Sequence, residues 1–250
     1  MIVSNDTINN VVSRPYKIIN TQIIVAVLGT NGLKSLYSVF NNFLNFALMK
    51  IICIGRNYGK HALELGNSIP EQPVIFCKPD TALLKNNEPF YHPDFSNDIH
   101  HEVELVIKID KIGKSVLPNF AHQYYSSISL GIDFTARDIQ NNLKAKGLPW
   151  ELAKSFDHSA VVGEFVPLHN QDIQNIDFSL QKNGALVQKG NTSDMLFSVN
   201  EIICFVSQYM TLKTGDLIFT GTPEGVSKVS IGDRLEAFLG TQKLLDFLIK

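Results

Sequence analysis

His100-His101-Glu102-Val103-Glu104-Leu105-Val106-Ile107 reads as a β-strand in which two acids sit inside an otherwise apolar run. Strand side chains alternate faces, so Glu102 and Glu104 point one way while Val103, Leu105 and Ile107 point the other. Two carboxylates sharing a patch repel and raise each other's pKa. A hard divalent cation between them turns that repulsion into a binding site. The competing reading is an edge strand whose acidic face is solvated.

Outward from this strand, 250 residues, 44% of them hydrophobic, suffice for one large domain or two small ones with a buried core. Lys and Arg number 22 against 24 Asp and Glu, a net charge of −2. No global field favours a nucleic acid or an anionic membrane surface, so neither is an expected partner. Cys53, Cys77 and Cys204 are odd in number and far apart, which argues against a disulfide framework and a zinc site and for buried, reduced thiols.

Residues 1–48 differ from the rest: Asn-rich, poor in acids, and apolar in patches at 23–28 and 36–48 that are too short to span a bilayer. Arg14 and Lys17 ahead of 18–28 suggest a signal peptide, but Asn20, Thr21 and Gln22 interrupt its apolar core. Met49-Lys50-Ile51-Ile52-Cys53 reads as a fresh start into a strand. The expectation is an atypical extension at 1–48, either weakly ordered or translated upstream sequence, ahead of a single catalytic domain at 49–250.

From Met49 onward the signals are mainly β. Short apolar runs at 51–54 and 74–77 read as strands, the first closing on the glycine loop Gly55-Arg56-Asn57-Tyr58-Gly59, with a short polar helix at 60–65 between them. A helix is expected at 119–126, a strand at 127–134 ending in Asp133, and a helix at 135–146 closed by Gly147 and Pro149. Apolar residues at 199–209 follow helical spacing. Turns at Asn183-Gly184, Thr214-Gly215-Asp216 and Gly232-Asp233 each precede a β-rich run, as in hairpins and meanders rather than βαβ crossovers. These signals predict a β-sandwich or roll with a few peripheral helices.

Four groups carry chemistry. Glu102, Glu104 and Asp133 are too many acids for neighbouring apolar strands unless a cation balances them, and oxygen ligands favour magnesium, manganese or calcium over zinc. His61 and Glu64, at i and i+3 on a helix, suit a general base oriented by a carboxylate, although such pairs are also common on solvated helices. The flanking glycines suit a movable lid. Arg137, Gln140 and Lys154 lie downstream of Asp133. Arg137 offers a carboxylate a bidentate partner and Lys154 a counter-charge for an oxyanion, while pairing of Arg137 with Asp138 or a metal acid is the structural alternative. Thr220-Gly221-Thr222-Pro223-Glu224-Gly225 permits close backbone approach, and Thr222 offers a hydroxyl or N–H. It lacks the lysine and spacing of a P-loop, and a plain structural turn is an equal reading.

Taken together the motifs resemble the fumarylacetoacetate hydrolase family over nearly all of 50–250. The carriers are Gly-Arg-Asn-Tyr at 55–58, His-x-x-Glu at 61–64, Phe76-Cys77-Lys78-Pro79, His101-Glu102-Val103-Glu104-Leu105, Asp133-Phe134-Thr135-Ala136-Arg137-Asp138, Lys146-Gly147-Leu148-Pro149-Trp150, Lys154-Ser155-Phe156-Asp157 and Thr220-Gly221-Thr222-Pro223-Glu224-Gly225. The runs at 147–150 and 154–156 resemble especially the small acylpyruvate hydrolase and oxaloacetate decarboxylase branch.

The resemblance implies a mainly β fold, a mixed β-sandwich roll of the family's C-terminal-domain type, usually a homodimer; the expected location is the cytoplasm. It implies Mg2+ or Mn2+ on Glu102, Glu104 and Asp133, with His61, Glu64 and Lys154 as catalytic residues. Arg56, Tyr58, Lys78, Arg137, Gln140 and Thr222 would surround a small 2-oxo acid. The implied reaction is metal-dependent hydrolysis of the C–C bond of acylpyruvates through a metal-bound pyruvate enolate, with oxaloacetate decarboxylation from the same enolate. The alternatives are isomerisation or decarboxylation of unsaturated 2-oxo dioates, and a non-catalytic 2-oxo-acid-binding protein.

Overall fold

The structure, a computed structural model, describes residues 49–250 except 65, 67 and 169–171. The extension expected at 1–48 lies outside the described residues. In chain order the strands are β1 (Ile51–Gly55), β2 (Val74–Lys78), β3 (Leu83–Leu84), β4 (Ile99–His101), β5 (Val103–Ile109), β6 (Tyr125–Asp133), β7 (Thr135–Ala136), β8 (Ala160–Val162), β9 (Val166–Pro167), β10 (Asp177–Lys182), β11 (Ala185–Asn191), β12 (Leu217–Phe219), β13 (Ser227–Lys228), β14 (Arg234–Leu239) and β15 (Gln242–Leu248). The α-helices are α1 (Gly59–Glu64), α2 (Pro118–Ala121), α3 (Arg137–Ala145), α4 (Glu151–Lys154) and α5 (Val199–Tyr209). None among the described residues is long and apolar enough to cross a membrane.

The strands form an eight-stranded mixed sheet in the order β2-β1-β12-β5-β6-β8-β3, with β9 on β6, a four-stranded sheet β11-β10-β14-β15, and a small sheet β13-β4-β7. Hairpin pairing holds in the four-stranded sheet, where both β10–β11 and β14–β15 are antiparallel. Two pairings depart from the expected meander: β1 runs parallel to β12 and β3 parallel to β8.

Period-two alternation gives the large sheet two different faces. Ile52, Ile54, Leu105, Ile107, Leu130, Ile132 and Val161 share one core with Phe178, Leu180, Leu235, Ala237, Leu245 and Phe247 of the four-stranded sheet, which makes the sandwich. The opposite face holds a smaller cluster, including Ile51, Cys53, Val106, Ala160, Val162 and Phe219. Glu104 and Asp133 lie on this second face. Gly131 lies there too, because a Cβ at that position would stand 2.6 Å from the Phe219 ring and 2.8 Å from Val161 O.

Several local expectations are corrected. Residues 100–107 are not one strand. The chain leaves the small sheet after His101 and enters the large one at Val103, with Glu102 at the joint. The helix expected from 135 begins at Arg137, because β4 takes Thr135 and Ala136 as strand partners and Asp98 O accepts the Arg137 N–H. The helix expected at 119–126 shrinks to α2 and a 3₁₀ turn at His122–Tyr124, since Tyr125 pairs with Ile109. Helix α5 matches its expectation. Ser198 and Glu201 close a reciprocal capping box at its N-terminus. Of the three thiols, Cys53 is buried while Cys77 and Cys204 are partly exposed.

Candidate active site

The β5–β6 register builds the centre of the site. Val103 faces Ile132 and Glu104 faces Gly131, while the Asp133 N–H donates to Glu102 O at 2.9 Å. Glu102 and Glu104, two residues apart, therefore converge with Asp133 on the adjacent strand. Ligand oxygens of Glu102, Glu104 and Asp133 all lie within 4.8 Å of one another, and all three side chains are buried.

Cations answer them. The Lys154 ammonium, at the end of α4, donates to Glu102 Oε2 at 2.7 Å and to Asp133 Oδ2 at 2.6 Å. Arg137, the first residue of α3, donates from Nη2 to Glu102 Oε1 and from Nη1 to Gln140 Oε1, the latter at 2.6 Å. Burial opposes charge on Glu102, but Lys154 and Arg137 outweigh it and hold the carboxyl far below its usual range. Burial also opposes charge on Lys154, and Asp133 and Glu102 reverse that, raising its pKa. Glu104 goes the other way: burial and then the charges of Asp133 and Glu102 push its carboxyl well up, with only the Gly221 N–H, at 2.7 Å, opposing them by hydrogen bonding.

Two observations test the fit to a divalent ion. Asp133 Oδ1 is buried and accepts no hydrogen bond; the Lys78 ammonium lies 2.8 Å away as an ion-pair contact. Glu104 is driven toward its neutral form, because burial and the charges of Asp133 and Glu102 outweigh the opposing charge of Lys154. An all-oxygen set with an open acceptor and one carboxyl, Glu104, pushed toward its neutral form by burial and its acidic neighbours fits a hard cation such as Mg2+ or Mn2+.

A cleft opens over the three acids, walled by His61, Arg56, Arg137, Gln140, Lys154 and Thr222 among others. His61 reaches it from α1, and Glu64 Oε2 lies 3.3 Å from His61 Nδ1. Glu64 also accepts the Gly225 N–H, at 3.2 Å, so α1 rests on the 220–225 loop. Asn57 pins the start of α1: its side chain donates to Phe197 O and Thr220 O and accepts from Phe197 N. Arg56 adopts a left-handed φ of 59°, which directs it to the cleft wall, 5.9 Å from the centre of the Trp150 ring.

Two residues expected at the substrate sit elsewhere. Tyr58 faces the sandwich core, its ring 6.4 Å from that of Phe178, and it is not part of the cleft wall. Burial, followed by Glu104 and Asp194, pushes its phenol strongly up. Lys78, next to Pro79, turns inward: its ammonium donates to Lys154 O, to Ser159 O at 3.2 Å and to Ser159 Oγ at 2.9 Å. Its three protons are engaged by these acceptors within the fold, and it is not on the cleft wall.

Sequence reasoning missed Phe76, Lys144 and Trp150 on the cleft wall, and Gly221 as donor to Glu104. Trp150, the chain's single tryptophan beside Pro149, was the one such signal available. Also missed was a buried relay behind Thr222 formed by His101, Gln188 and Ser227. Burial lowers the His101 pKa to about 4, which keeps the ring neutral.

Known proteins agree with this architecture. An oxaloacetate tautomerase of Bos taurus, FAHD1, described as mitochondrial, is 44% identical over 188 residues, 75% of this chain and 85% of that protein. An oxaloacetate decarboxylase of Dictyostelium discoideum, also described as mitochondrial, is 44% identical over 73% of this chain and 85% of its own length. The crystal structure of fumarylpyruvate hydrolase from Pseudomonas aeruginosa, in complex with Mn2+ and pyruvate, superposes with a TM-score of 0.76 at 33% identity, covering 81% of this chain and 89% of that one. Residues 50–245 match the fumarylacetoacetate (FAA) hydrolase C-terminal model, and with relatives this similar over most of its length the chain belongs to the fumarylacetoacetate hydrolase family.

Proposed function

We propose that the chain is a divalent-metal-dependent enzyme that hydrolyses the C–C bond of acylpyruvates, with oxaloacetate decarboxylation supported by the same cleft. The observation that carries this reading is the placement of His61, paired with Glu64, on the wall of the cleft that holds the three buried acids. Glu102, Glu104 and Asp133 would hold Mg2+ or Mn2+, which when bound would supply Lewis acidity toward a 2-oxo acid.

The remaining chemistry belongs to the chain. Glu64 engages His61 Nδ1, which leaves Nε2 to take a proton from water. The resulting hydroxide attacks the distal carbonyl carbon, and the bond from that carbon to the methylene breaks. Its electron pair passes into the pyruvate enolate, and His61 returns the proton to the enolate carbon. One water is consumed, and pyruvate and a carboxylic acid leave. Arg137 and Lys154 place positive charge beside the substrate carboxylate and the developing oxyanion.

Oxaloacetate needs no water attack, since loss of carbon dioxide leaves the same enolate. Keto–enol exchange needs only the proton at that carbon. The names of the bovine and Dictyostelium relatives favour this second use of the cleft. As part of the same reading the enzyme works as a homodimer in the cytoplasm, which sedimentation and cell fractionation check.

The test is His61→Ala with Mg2+ or Mn2+ present. Acetylpyruvate hydrolysis is expected to fall by about 10²–10⁴-fold, with oxaloacetate decarboxylation falling far less. Equal losses on both substrates would remove water activation from His61.

A further inference from the structure

Behind the cleft wall, a chain of buried hydrogen bonds joins the four-stranded sheet to the 220–225 loop, and its direction is fixed. The Val103 N–H can only donate, so the Gln188 atom it meets at 3.1 Å is the amide oxygen Oε1. Gln188 Nε2 is then the donor end, and it donates to Thr222 Oγ1 at 2.9 Å and to Pro223 O at 3.0 Å. Because Oε1 is an acceptor, the His101 Nδ1 at 2.9 Å carries the ring proton. His101 Nε2 in turn accepts from the Ser227 hydroxyl at 2.8 Å. The last link is the Thr222 hydroxyl, which donates to Val103 O at 2.8 Å.

His101, Gln188 and Thr222 are at most 3% exposed, so the bonds among them are shielded from water, while the Ser227 link is part-buried. The loop also sits hard against β11: a Cβ on Gly225 would lie 2.3 Å from Val187 O, and one on Gly190 would meet Pro223 Cγ at 3.0 Å. The same loop donates from Gly221 N–H to Glu104 and from Gly225 N–H to Glu64. Whatever sets the loop therefore sets contacts to a metal-ligand candidate and to the partner of His61.

We propose that Gln188 is a positioning residue that, held by His101 and Ser227, locks the Thr222 hydroxyl as a hydrogen-bond acceptor toward the cleft. The only proton of that hydroxyl is spent on Val103 O and one lone pair on Gln188, so a single lone pair is what it offers a ligand. A ligand O–H, from the attacking water or an enol, is complementary to it. A bare oxyanion is not, and its stabilisation falls to Lys154, Arg137 and backbone N–H groups. The inference rests on the catalytic reading of the cleft, and wild-type turnover of acetylpyruvate and oxaloacetate is the control that separates the two: absence of both activities fails that reading, not the relay.

The test has a kinetic and a spectroscopic arm, both on the metal-loaded full chain. Gln188→Glu keeps an acceptor for His101 and Val103 but loses both N–H donors. It is expected to lower kcat about tenfold, equivalent to ~1.4 kcal/mol, with KM and Mn2+ affinity changed less than about threefold. In a Thr222→Val background the same change is expected to add less than about threefold. A full tenfold loss there, or no loss in either background, overturns the proposal. If Gln188→Glu does not fold, His101 carries the test. His101→Asn, whose amide N–H replaces Nδ1–H, is expected to retain activity within about threefold, and His101→Leu to lose about tenfold. Equal losses overturn the proposal. Independently of activity, the ¹⁵N shifts of His101 in the wild type are expected to show a protonated Nδ1 and a bare Nε2; the opposite tautomer refutes the relay's direction.

Discussion

Glu104 makes the metal-free protein sensitive to pH in a direction that can be worked out in advance. The residue is 2% exposed, and burial, Asp133 and Glu102 all favour the neutral form of its carboxyl. A group whose folded pKa lies above its unfolded value contributes stability that is fully present below the unfolded value, about 4.3 for Glu. That contribution is lost as pH rises toward the folded pKa, at about 1.4 kcal/mol per pH unit. Glu104→Gln keeps the shape and an acceptor for the Gly221 N–H but has no proton to lose. With EDTA present, the unfolding free energy of the wild type minus that of Glu104→Gln is therefore expected to fall with pH at that slope, then level off above the raised pKa. The subtraction matters, because His101, lowered to about 4, acts with the opposite sign. Its stabilisation is present above about pH 6.5 and lost as pH falls, which flattens the wild-type curve in mild acid but cancels in the difference. Added Mg2+ or Mn2+ displaces the Glu104 proton, so the stabilisation it confers on the wild type is expected to grow with pH. Urea titrations from about pH 5 to about pH 9 measure both quantities. A difference that is flat or rises with pH throughout would refute the assignment of an uncompensated buried carboxyl to Glu104.

Two further outcomes separate structural from substrate roles. Lys78→Met is expected to destabilise the fold by about 3–5 kcal/mol, since it strips donors from Lys154 O, Ser159 O and Ser159 Oγ and the counter-charge from Asp133. An unchanged melting temperature with a raised KM would return Lys78 to the substrate. Gly131→Ala is expected to cost about 1–3 kcal/mol in denaturant titration, because its methyl group meets the Phe219 ring, Val106 and the Val161 carbonyl at under 3 Å. A neutral effect would mean that β6 and β12 have slack beside Asp133.

The sequence carried those parts of the site whose logic is local. Two acids two residues apart predict a shared face, and although Glu102 stands at the joint before β5 rather than in it, its carboxyl converges with those of Glu104 and Asp133. His61 and Glu64 meet because three residues are one helical turn. What was not legible depends on partners far along the chain. Lys78 looked like a cleft residue beside Pro79, yet the carbonyls that capture it come from 154 and 159. Tyr58 follows Arg56 in the same loop, but the intervening Asn57 is tied to Phe197 and Thr220, and the chain there delivers the tyrosine to the core. Gln188 stands on a strand with ordinary polar alternation. Nothing within ten residues of it announces that it meets His101 and Thr222. The parallel β1–β12 pairing joins residues more than 160 positions apart, and local turn chemistry has no means of signalling it.

The division of labour between sheet and loops also constrains how such a protein can diversify. Glu104 and Asp133 are built into central strands whose other face packs the sandwich, and Glu102 sits at the joint where one of those strands begins. A one-residue insertion in β5 ahead of Glu104 would send Glu104 to the apolar side and a core residue to the acidic cluster. Arg56, Lys144 and Trp150 lie outside the strands, in a loop, near a helix end and in a turn, where exchange of a side chain leaves the sheet untouched. The cleft wall is therefore open to gradual change by point substitution. Dismantling the buried acidic triad demands several coordinated replacements at once.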